Sequence, residues 1–366
     1  MAGAATLPVI DISAEGVDQT RIAKELVDAA IDYGFVYIKS RDISAGQIDN
    51  AFNVSRILFD SPLEDKQRCK IEKNNQGWSG MHTETLDPKT QRVGDFKEGF
   101  NFGPFVNGKA TQPIPQPVEP HQADLAEFRG ACHNLCRKLL LLFGIGLGVN
   151  PPQFFSAAHD PNSPSGSILR FLYYPPPSRT PEAHHDDVRA GAHSDYGSIT
   201  LLFRLRGQAG LEILEPRTGR WAPVPVDPPS GNKDELVAAP PPILVNIGDL
   251  LSYWTNGLLR STVHRVAFPS APETLAAGES TADPRYSVVY FCHPTNDTLL
   301  TPVPSERVEA ASGNEGATAQ KQGLAGVKKV LTADEHLQMR LQATYLQMYG
   351  KDGEKKQVID SEGEAT

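Results

Sequence analysis

The sequence predicts a mainly β protein with added helices, an α+β chain whose core is a β-sandwich or jelly roll. Helix and strand patterns are mixed before residue 165. From about residue 166 the pattern changes to short β-rich runs separated by Pro and Gly, which is typical of sandwiches and jelly rolls rather than of alternating β-α-β units. A last helix is predicted near the C-terminus, where Leu337, Leu341 and Met348 share one face.

The N-terminal part combines strands and helices. Residues 7–13 are predicted as a short strand, an amphipathic helix follows from Ile22 to Tyr33, and YGFVYIKS is predicted as another strand. A second helix is predicted over about 121–143. The resulting division of the chain is an N-terminal α/β region over 1–120, a helical connector over 121–165, a jelly-roll core over 166–300, a loop and helix over 301–350, and a disordered tail over 351–366.

The β-rich part consists of SILRFLYYP, SITLLFRL, GLEILEP, ILVNIGDLLSYW, STVHRVAF and RYSVVYFCHP. Pro-rich stretches at 175–187 and 226–242 are predicted as surface loops, and the polar segment near 305–326 is expected to be mobile. The first of these loops contains a run that resembles a ligand cluster, but its setting favours solvated side chains. That run is His184, His185, Asp186 and Asp187.

Length and charge limit the class of protein. A chain of 366 residues can bury a large core without disulfides. The net charge of -9 argues against a nucleic-acid partner, because phosphate backbones attract clustered Lys and Arg. We therefore expect a small-molecule substrate and no nucleic-acid partner.

The cysteines and the apolar runs indicate the compartment. Cys69, Cys132, Cys136 and Cys292 are too few and too scattered for a disulfide framework or a paired zinc motif, so we expect reduced, buried thiols. The opening residues lack the basic and apolar segments of a signal peptide, and the longest apolar run is too short to span a bilayer. The expectation is a cytoplasmic monomer or weak homodimer without a membrane partner.

Three residues form a candidate metal site. His193 and Asp195 lie two residues apart in HSDYGSITLLF, and strand alternation would put both side chains on one face. His264, in STVHRVAF, adds a second imidazole from a later strand. Two histidines and one carboxylate leave metal positions open, as iron(II) oxygenases require. The alternative for the His-x-Asp pair alone is a capping loop aspartate beside a partly exposed histidine.

A candidate carboxylate clamp follows in PRYSVVYF. Arg285 and Ser287 share a strand face, where a guanidinium and a hydroxyl together match a carboxylate. An isolated strand arginine is otherwise more often a surface residue. Tyr174, in LRFLYYPP, either reaches the same carboxylate or is a core aromatic residue, and both readings stay open. His293 has the parity of Arg285 but lies far along the strand, which favours a core or rim position.

In this order, HSDYGSITLL, the NIGDLL turn, STVHRV and RYSVVYF resemble the isopenicillin N synthase-like branch of the 2-oxoglutarate/iron(II) oxygenases. LPVIDIS with DYGFVYI resembles the N-terminal region of that branch, so the likeness covers most of 7–300 and the closing helix. It implies a double-stranded β-helix, a jelly roll whose mouth holds the iron. The implied Fe(II) ligands are His193, Asp195 and His264; the implied 2-oxoglutarate contacts are Arg285 for the C5 carboxylate, Ser287 and Tyr174.

The resemblance also implies a reaction. It is oxidation of a small organic molecule, by hydroxylation first and by desaturation or ring rearrangement otherwise, with O2 and 2-oxoglutarate consumed and succinate and CO2 released. Ascorbate is expected to support the activity in vitro, and secondary metabolism is the expected setting. One departure is that Leu172 replaces the Asn of the family's Asn-Tyr-Tyr-Pro segment, which removes a hydrogen-bond donor toward the oxoacid. Two alternatives stay open: an isopenicillin N synthase-type oxidase that uses no oxoacid, and a non-catalytic metal-binding jelly roll.

Substrate contacts are expected from the N-terminal region and from loops around the mouth of the jelly roll. The segment KEGFNFG supplies the first candidates, Phe100, Asn101 and Phe102, although a packed loop would explain it equally well. Tyr196 and Phe268 are further candidates.

Overall fold

The computed structural model describes residues 3–13, 18–184, 187–228, 240–268, 283–312 and 329–344. Within them, two β-sheets lie on either side of a cavity. The larger sheet has eight strands in the order β1 (Val9–Asp11), β2 (Phe35–Lys39), β12 (Ile243–Ile247), β9 (Ile199–Arg204), β14 (Arg285–Cys292), β7 (Ile168–Tyr174), β4 (Glu98–Phe102) and β3 (Gly77–Ser79). Neighbouring strands are antiparallel except for β1 and β2.

The smaller sheet supplies the opposite wall of the cavity. Its order is β11 (Trp221–Pro223), β10 (Leu211–Leu214), β13 (His264–Ala267) and β8 (Val188–His193), all antiparallel. A separate hairpin pairs β5 (Phe105–Val106) with β6 (Lys109–Ala110). Strands β1 to β4 come from the N-terminal region and extend the larger sheet at both ends, so that region and the core share one sheet.

The described helices are α1 (Gln19–Asp32), α2 (Ala45–Asp60), α3 (Leu63–Arg68), α4 (Gln122–Gly146), α5 (Phe154–Ala157), α6 (Asp249–Trp254), α7 (Glu306–Glu309) and α8 (Ala333–Thr344), with 3-10 turns at Gln116–His121 and Pro177–Arg179. Helix α1 begins where the Asp18 side chain accepts a hydrogen bond from the Thr20 amide at 2.9 Å. Helix α2 begins with a capping box between Ser44 and Gln47. Among the described residues, no helix is both long and apolar enough to cross a membrane.

The main core lies between helices α1, α2 and α4 and the outer face of the larger sheet. Strand alternation produces this arrangement, because Phe171, Phe203 and Val288 face the helices while the residues next to them face the cavity. Helix α4 contributes Phe128 and Leu135 to the same core, in the region where the sequence predicted a helix. The sheet is therefore apolar on the helix side and carries its polar residues on the cavity side.

Three predicted segments differ from the structure. ILVNIGDLLSYW is not one β run, because strand β12 ends at Ile247 and helix α6 begins after Gly248. The Gly248 backbone lies so close to the Gly197 carbonyl that a Cβ would collide with it, and the helix buries Leu250 and Leu251 together, which a strand would send to opposite faces. Part of the segment expected to be mobile is ordered, since α7 begins at a Ser305 cap; its residues from 313 lie outside the described ones.

The loop before β8 also departs from its prediction. His184 is exposed as expected, but the Asp187 carboxylate forms an ion pair with Arg92 at 2.6 Å instead of being solvated, because the loop folds back on the N-terminal region. His185 and Asp186 lie outside the described residues, as do Met348 and the tail over 351–366. The four cysteines are free and buried, as expected.

Candidate functional site

A cavity with an open mouth lies between the two sheets. Every second residue of β14 from Arg285 to Phe291, and of β7 from Ile168 to Tyr174, faces it. The smaller sheet closes it from the other side with residues of β8, β10 and β13. Polar side chains on these inward positions therefore meet inside one space.

His193, Asp195 and His264 come together at one end of this cavity. His193 ends β8 and pairs in register with His264, the first residue of β13. The Asp195 Oδ1 atom lies 3.8 Å from His193 Nε2 and 3.6 Å from His264 Nε2. One ligand atom from each residue lies within 4.8 Å of the other two, which is close enough to bind a single metal ion.

Hydrogen bonds orient these three side chains. His193 Nδ1 donates to the Gly191 carbonyl at 2.7 Å and His264 Nδ1 to the Thr262 carbonyl at 3.2 Å, which leaves each Nε2 lone pair free for a metal. Burial, together with His264, lowers the pKa of His193 to about 3, so its imidazole is neutral, the form that binds metals.

The Asp195 carboxylate is held by its other oxygen. Its Oδ2 accepts hydrogen bonds from Thr200 Oγ1 and Asn246 Nδ2, both at 2.7 Å, so that Oδ1 is left to face the histidines. Burial raises the pKa of Asp195, but His264, His193 and these hydrogen bonds together hold it below its usual value. Two imidazoles and one carboxylate with an open side are the donor set typical of non-haem iron(II).

The turn that carries Asp195 is supported from helices α6 and α8. The Asp249 amide, at the start of α6, donates to the Asp195 carbonyl at 2.6 Å, and Ser194 Oγ donates to the Asp249 carboxylate at 3.0 Å. Arg340 of α8 forms an ion pair with the same carboxylate at 2.9 Å. Since Leu337 of α8 also lines the cavity, the C-terminal helix both covers the site and braces the turn.

Arg285 and Ser287 face the cavity from β14. Arg285 is 3% exposed, and within the described part of the chain its Nε and Nη1 atoms have no hydrogen-bond partner, like the Ser287 hydroxyl. The guanidinium carbon lies 4.7 Å from the centre of the Tyr174 ring, which is the residue paired with Arg285 across the strands. Burying a charged group without a partner is costly, so these donors indicate an anionic ligand with a carboxylate or a similar group.

Leu172 occupies the next inward position of β7. It packs with Tyr174, Ala190 and Val266 in a small apolar cluster and presents carbon to the cavity. The replacement of the family's Asn by Leu172 therefore has a structural consequence, because this side chain offers no hydrogen bond to a ligand held by Arg285.

The predicted substrate residues are separated by strand alternation. Asn101 lines the cavity, whereas Phe100 and Phe102 lie on the opposite face of β4, fully buried in the main core with their ring centres 4.6 Å apart. The expectation that all three form a pocket wall is thus corrected for the two phenylalanines. Tyr196 lines the cavity beneath α8, and Phe268 packs edge-on against Phe96, 5.4 Å away, without being one of the lining residues identified.

A buried ionic cluster next to Asn101 was missed by sequence reasoning. Lys97 Nζ lies 3.1 Å from Glu84 Oε2 and also contacts Asp95, while Arg170 contacts the other oxygen of Glu84. Burial raises the pKa of Glu84, but the adjacent Arg170 and Lys97 outweigh it and hold the pKa well below its usual value. The signal in the sequence was parity: Lys97, which directly precedes β4, has the parity of Asn101, and Arg170 shares a strand face with Tyr174.

Two protein-family models match the chain. The N-terminal family of non-haem dioxygenases in morphine synthesis matches residues 7–122, and the 2OG-Fe(II) oxygenase superfamily matches residues 165–294. The UPF0676 protein C1494.01 of Schizosaccharomyces pombe is 37% identical over 310 residues, 83% of this chain and 87% of that protein. The proline hydroxylase buaE of Petromyces alliaceus is 30% identical over 89% of this chain and 94% of its own length.

Solved structures agree with these matches. A full-length Neurospora crassa protein, crystallised in complex with alpha-KG and thymine, has a TM-score of 0.72 and 26% identity, with 92% of this chain and 96% of that chain covered. A putative 2OG-Fe(II) oxygenase family protein from Caulobacter crescentus has a TM-score of 0.69 and 27% identity, with 93% and 99% covered. The predicted fold class, an α+β chain with a double-stranded β-helix core, is confirmed. This chain therefore belongs to the 2-oxoglutarate/iron(II)-dependent oxygenase superfamily and is a dioxygenase that uses Fe(II), 2-oxoglutarate and O2 to oxidise a small organic molecule.

Proposed function

We propose that the chain is a small-molecule hydroxylase in which His193, Asp195 and His264 bind Fe(II) and Arg285 binds the C5 carboxylate of 2-oxoglutarate. One observation carries the proposal: three converging metal-ligand atoms and a buried guanidinium with unpartnered donors open into the same cavity. The group of His193, Asp195 and His264 favours a metal cation, and the buried guanidinium of Arg285 favours an anion. A dicarboxylate that chelates the metal with one end and reaches Arg285 with the other satisfies both requirements.

The residues of the chain divide the work. When bound, Fe(II) with 2-oxoglutarate and O2 supplies the oxidation of a substrate C–H bond. Asp195 offsets part of the metal charge, and its hydrogen bonds from Thr200 and Asn246 keep one oxygen directed at the metal position. Ser287, two residues from Arg285 on the same strand face, adds a hydroxyl donor toward the oxoacid, and the Tyr174 ring fixes the guanidinium plane.

The test uses the anaerobic protein with Fe(II) and then 2-oxoglutarate. We expect a weak visible charge-transfer band that appears only when both are present, and that is lost in His193→Ala. His184→Ala, which removes an exposed histidine from the loop before β8, is the matched control and should keep the band. Full metal binding and a normal band in His193→Ala would contradict the ligand assignment.

Succinate release distinguishes the oxoacid-dependent reaction from the oxidase alternative. With a substrate present, we expect one succinate per hydroxylated product, and we expect no turnover without 2-oxoglutarate. Product formation in the absence of the oxoacid would assign Arg285 to the carboxylate of the substrate itself.

For the setting of the protein, we propose the cytoplasm, a monomer or weak homodimer, and no nucleic-acid or membrane partner. The four free, buried thiols support a reducing compartment, and the net charge of -9 disfavours binding to phosphate backbones. Light scattering across a concentration series, together with localisation of a tagged chain, tests these proposals.

A further inference from the structure

The ionic cluster of Glu84, Asp95, Lys97 and Arg170 forms a wall of the cavity that the proposed cofactor contacts do not use. Glu84, Lys97 and Arg170 line the cavity together with Asn101. We call these four lining residues the polar wall. Their side chains come from the 81–97 segment and from two neighbouring strands, β4 and β7.

Strand register places Asn101 and Arg170 of the polar wall beside the metal end of the cavity. Asn101 is paired with Arg170, Arg170 with Val289, and Val289 with Leu202, so these residues form one row across the sheet. Thr200, which binds Asp195, is the next inward residue of β9. Arg285 lies four residues from Val289, roughly 13 Å further along the strand. Asn101 and Arg170 are thus adjacent to the row that leads to the metal ligands, whereas Lys97, which directly precedes Glu98, continues the register toward Tyr174, the strand partner of Arg285.

The cations of the wall are compensated by Glu84 within the wall and by Asp95, which does not belong to it. Lys97 is paired with both Glu84 and Asp95, and Arg170 is paired with Glu84, so two cations face two carboxylates. A ligand carboxylate placed here would meet Glu84 as well as the cations, and no net positive charge would hold it. The wall therefore favours an uncharged ligand, in contrast to the clamp at Arg285.

Asn101 supplies an acceptor whose hydrogen bond is unmet among the described residues, whereas Glu84 Oε2, which also lacks a hydrogen bond there, is ion-paired with Lys97. Asn101 is 1% exposed, and its Nδ2 donates to the Asn75 carbonyl at 2.9 Å and to Asn75 Oδ1 at 3.0 Å, which fixes the direction of the amide. Its Oδ1 is buried and accepts no hydrogen bond from any residue that the structure describes. A buried acceptor in this state indicates a ligand that donates an N–H or O–H.

We propose that the substrate is an uncharged polar molecule of the amide, lactam or ureide type, whose N–H donates to Asn101 Oδ1 and whose carbonyl faces Arg170. Glu84 compensates the wall's cations and thereby excludes carboxylic acids from this position. Val289, Phe291 and Ile168 give the neighbouring surface an apolar character, which suits a small ring or chain attached to that polar edge. This inference rests on the function proposed above, since it assumes a substrate bound beside the metal site.

The experiment uses the anaerobic complex with Fe(II) and 2-oxoglutarate, and it reads the change in the charge-transfer band as each probe is added. The probes are thymine and 2-pyridone as uncharged N–H donors, 1,3-dimethylthymine and N-methyl-2-pyridone as forms with no N–H left, and benzoate as the carboxylate. We expect the uncharged donors to bind, the methylated forms to bind about tenfold more weakly, and benzoate to bind least. Absence of the band itself would contradict the proposed function instead, so the two failures are distinguishable.

Variants separate recognition from a structural role. Glu84→Gln should shift the preference for thymine over benzoate toward benzoate by about tenfold, because the cations are then undercompensated. Glu98→Gln is the matched control, since Glu98 forms a partly buried pair with Lys66 at 2.9 Å but does not line the cavity. If Glu84→Gln does not fold, Asn101→Leu tests the same wall. It should weaken the binding of thymine about tenfold and leave the binding of 2-oxoglutarate unchanged.

Two results would overturn the inference. One is a normal band in the wild type that neither thymine nor 2-pyridone perturbs up to its solubility limit, or that benzoate perturbs more strongly than either. The other is an equal loss of affinity for all probes in Glu84→Gln and in Asn101→Leu, which would make the wall a structural element only.

Discussion

The cavity contains two groups of buried cations that differ in their neighbours. At one end, Arg285 has no ion pair with any residue that the structure describes and keeps two guanidinium nitrogens without a hydrogen-bond partner. On the polar wall, Lys97 and Arg170 are each paired with carboxylates of the chain. The difference indicates that an anionic ligand binds at Arg285 and not at the polar wall. An uncompensated buried cation requires a ligand of opposite charge, whereas a compensated one contributes shape and hydrogen bonds.

The comparison predicts that replacing each cation by Leu changes the free energy of unfolding differently. Lys97→Leu leaves Asp95 buried without its cation and Glu84 with Arg170 alone, so we expect it to lower the free energy of unfolding by about 3–5 kcal/mol. Arg285→Leu removes a charge that has no carboxylate partner among the described residues, so we expect it to be neutral or slightly stabilising in the ligand-free protein. Chemical denaturation of both ligand-free variants provides the measurement.

Lys138→Leu is the control for burial, since its pair with Asp42 is exposed and should contribute less than about 1 kcal/mol. Equal destabilisation by Lys97→Leu and Arg285→Leu would remove the distinction between the two ends of the cavity.

The second prediction concerns the oxoacid. Arg285→Leu should weaken 2-oxoglutarate binding about a hundredfold, or about 2.7 kcal/mol, because the C5 carboxylate loses its charged partner in a buried site. Titration of the charge-transfer band measures the dissociation constant directly. Arg265→Leu removes a strand arginine that pairs with Glu212 and is not one of the cavity-lining residues identified, and it should leave the constant unchanged. A loss confined to substrate affinity would assign Arg285 to the substrate.

The third prediction is a pH dependence carried by Glu84. Burial raises its pKa, but Arg170 and Lys97 hold the folded value well below the usual one, so the folded state favours the ionised carboxylate. Its contribution to stability is therefore complete above the unfolded pKa of about 4.5 and is lost as the pH falls below it toward the folded value. We expect the stability difference between wild type and Glu84→Gln to shrink by about 2 kcal/mol between about pH 6 and pH 3. A pH-independent difference would mean that Glu84 gains no charge stabilisation from the wall.

The same comparison explains what sequence reasoning could reach. Arg285 with Ser287 was recognisable because the two lie two residues apart on one strand, so parity predicts a shared face. His193 with Asp195 was recognisable from the same spacing, although Asp195 lies in the turn after β8 rather than on the strand. Glu84 was not recognisable, since it comes from a turn and meets Lys97 and Arg170 only in the folded chain. Ion pairing across distant segments depends on tertiary packing, which no local pattern encodes.

Two errors have a local cause. KEGFNFG was taken as a block, but alternation along β4 sends Asn101 to the cavity while Phe100 and Phe102 join the core. The GDLLSYW part of a predicted β run forms helix α6, because its consecutive apolar residues do not alternate and the close approach of Gly248 to Gly197 turns the chain. In the first segment the error is the face on which the side chains lie, and in the second it is the type of secondary structure.

The smallest expected effect comes from the departure at Leu172. Leu172→Asn would return a hydrogen-bond donor to the inward position between Arg170 and Tyr174, within the same row as Ser287. We expect it to strengthen 2-oxoglutarate binding by about threefold to tenfold, since a net hydrogen bond contributes about 1 kcal/mol and burial of the new amide offsets part of it. Leu202→Asn, a polar substitution at another apolar lining position, controls for a general effect of polarity. Leu172→Asn could instead lower the affinity for 2-oxoglutarate as much as Leu202→Asn does. In that case Leu172 contributes packing around Tyr174, and Arg285 and Ser287 alone set the affinity for the carboxylate.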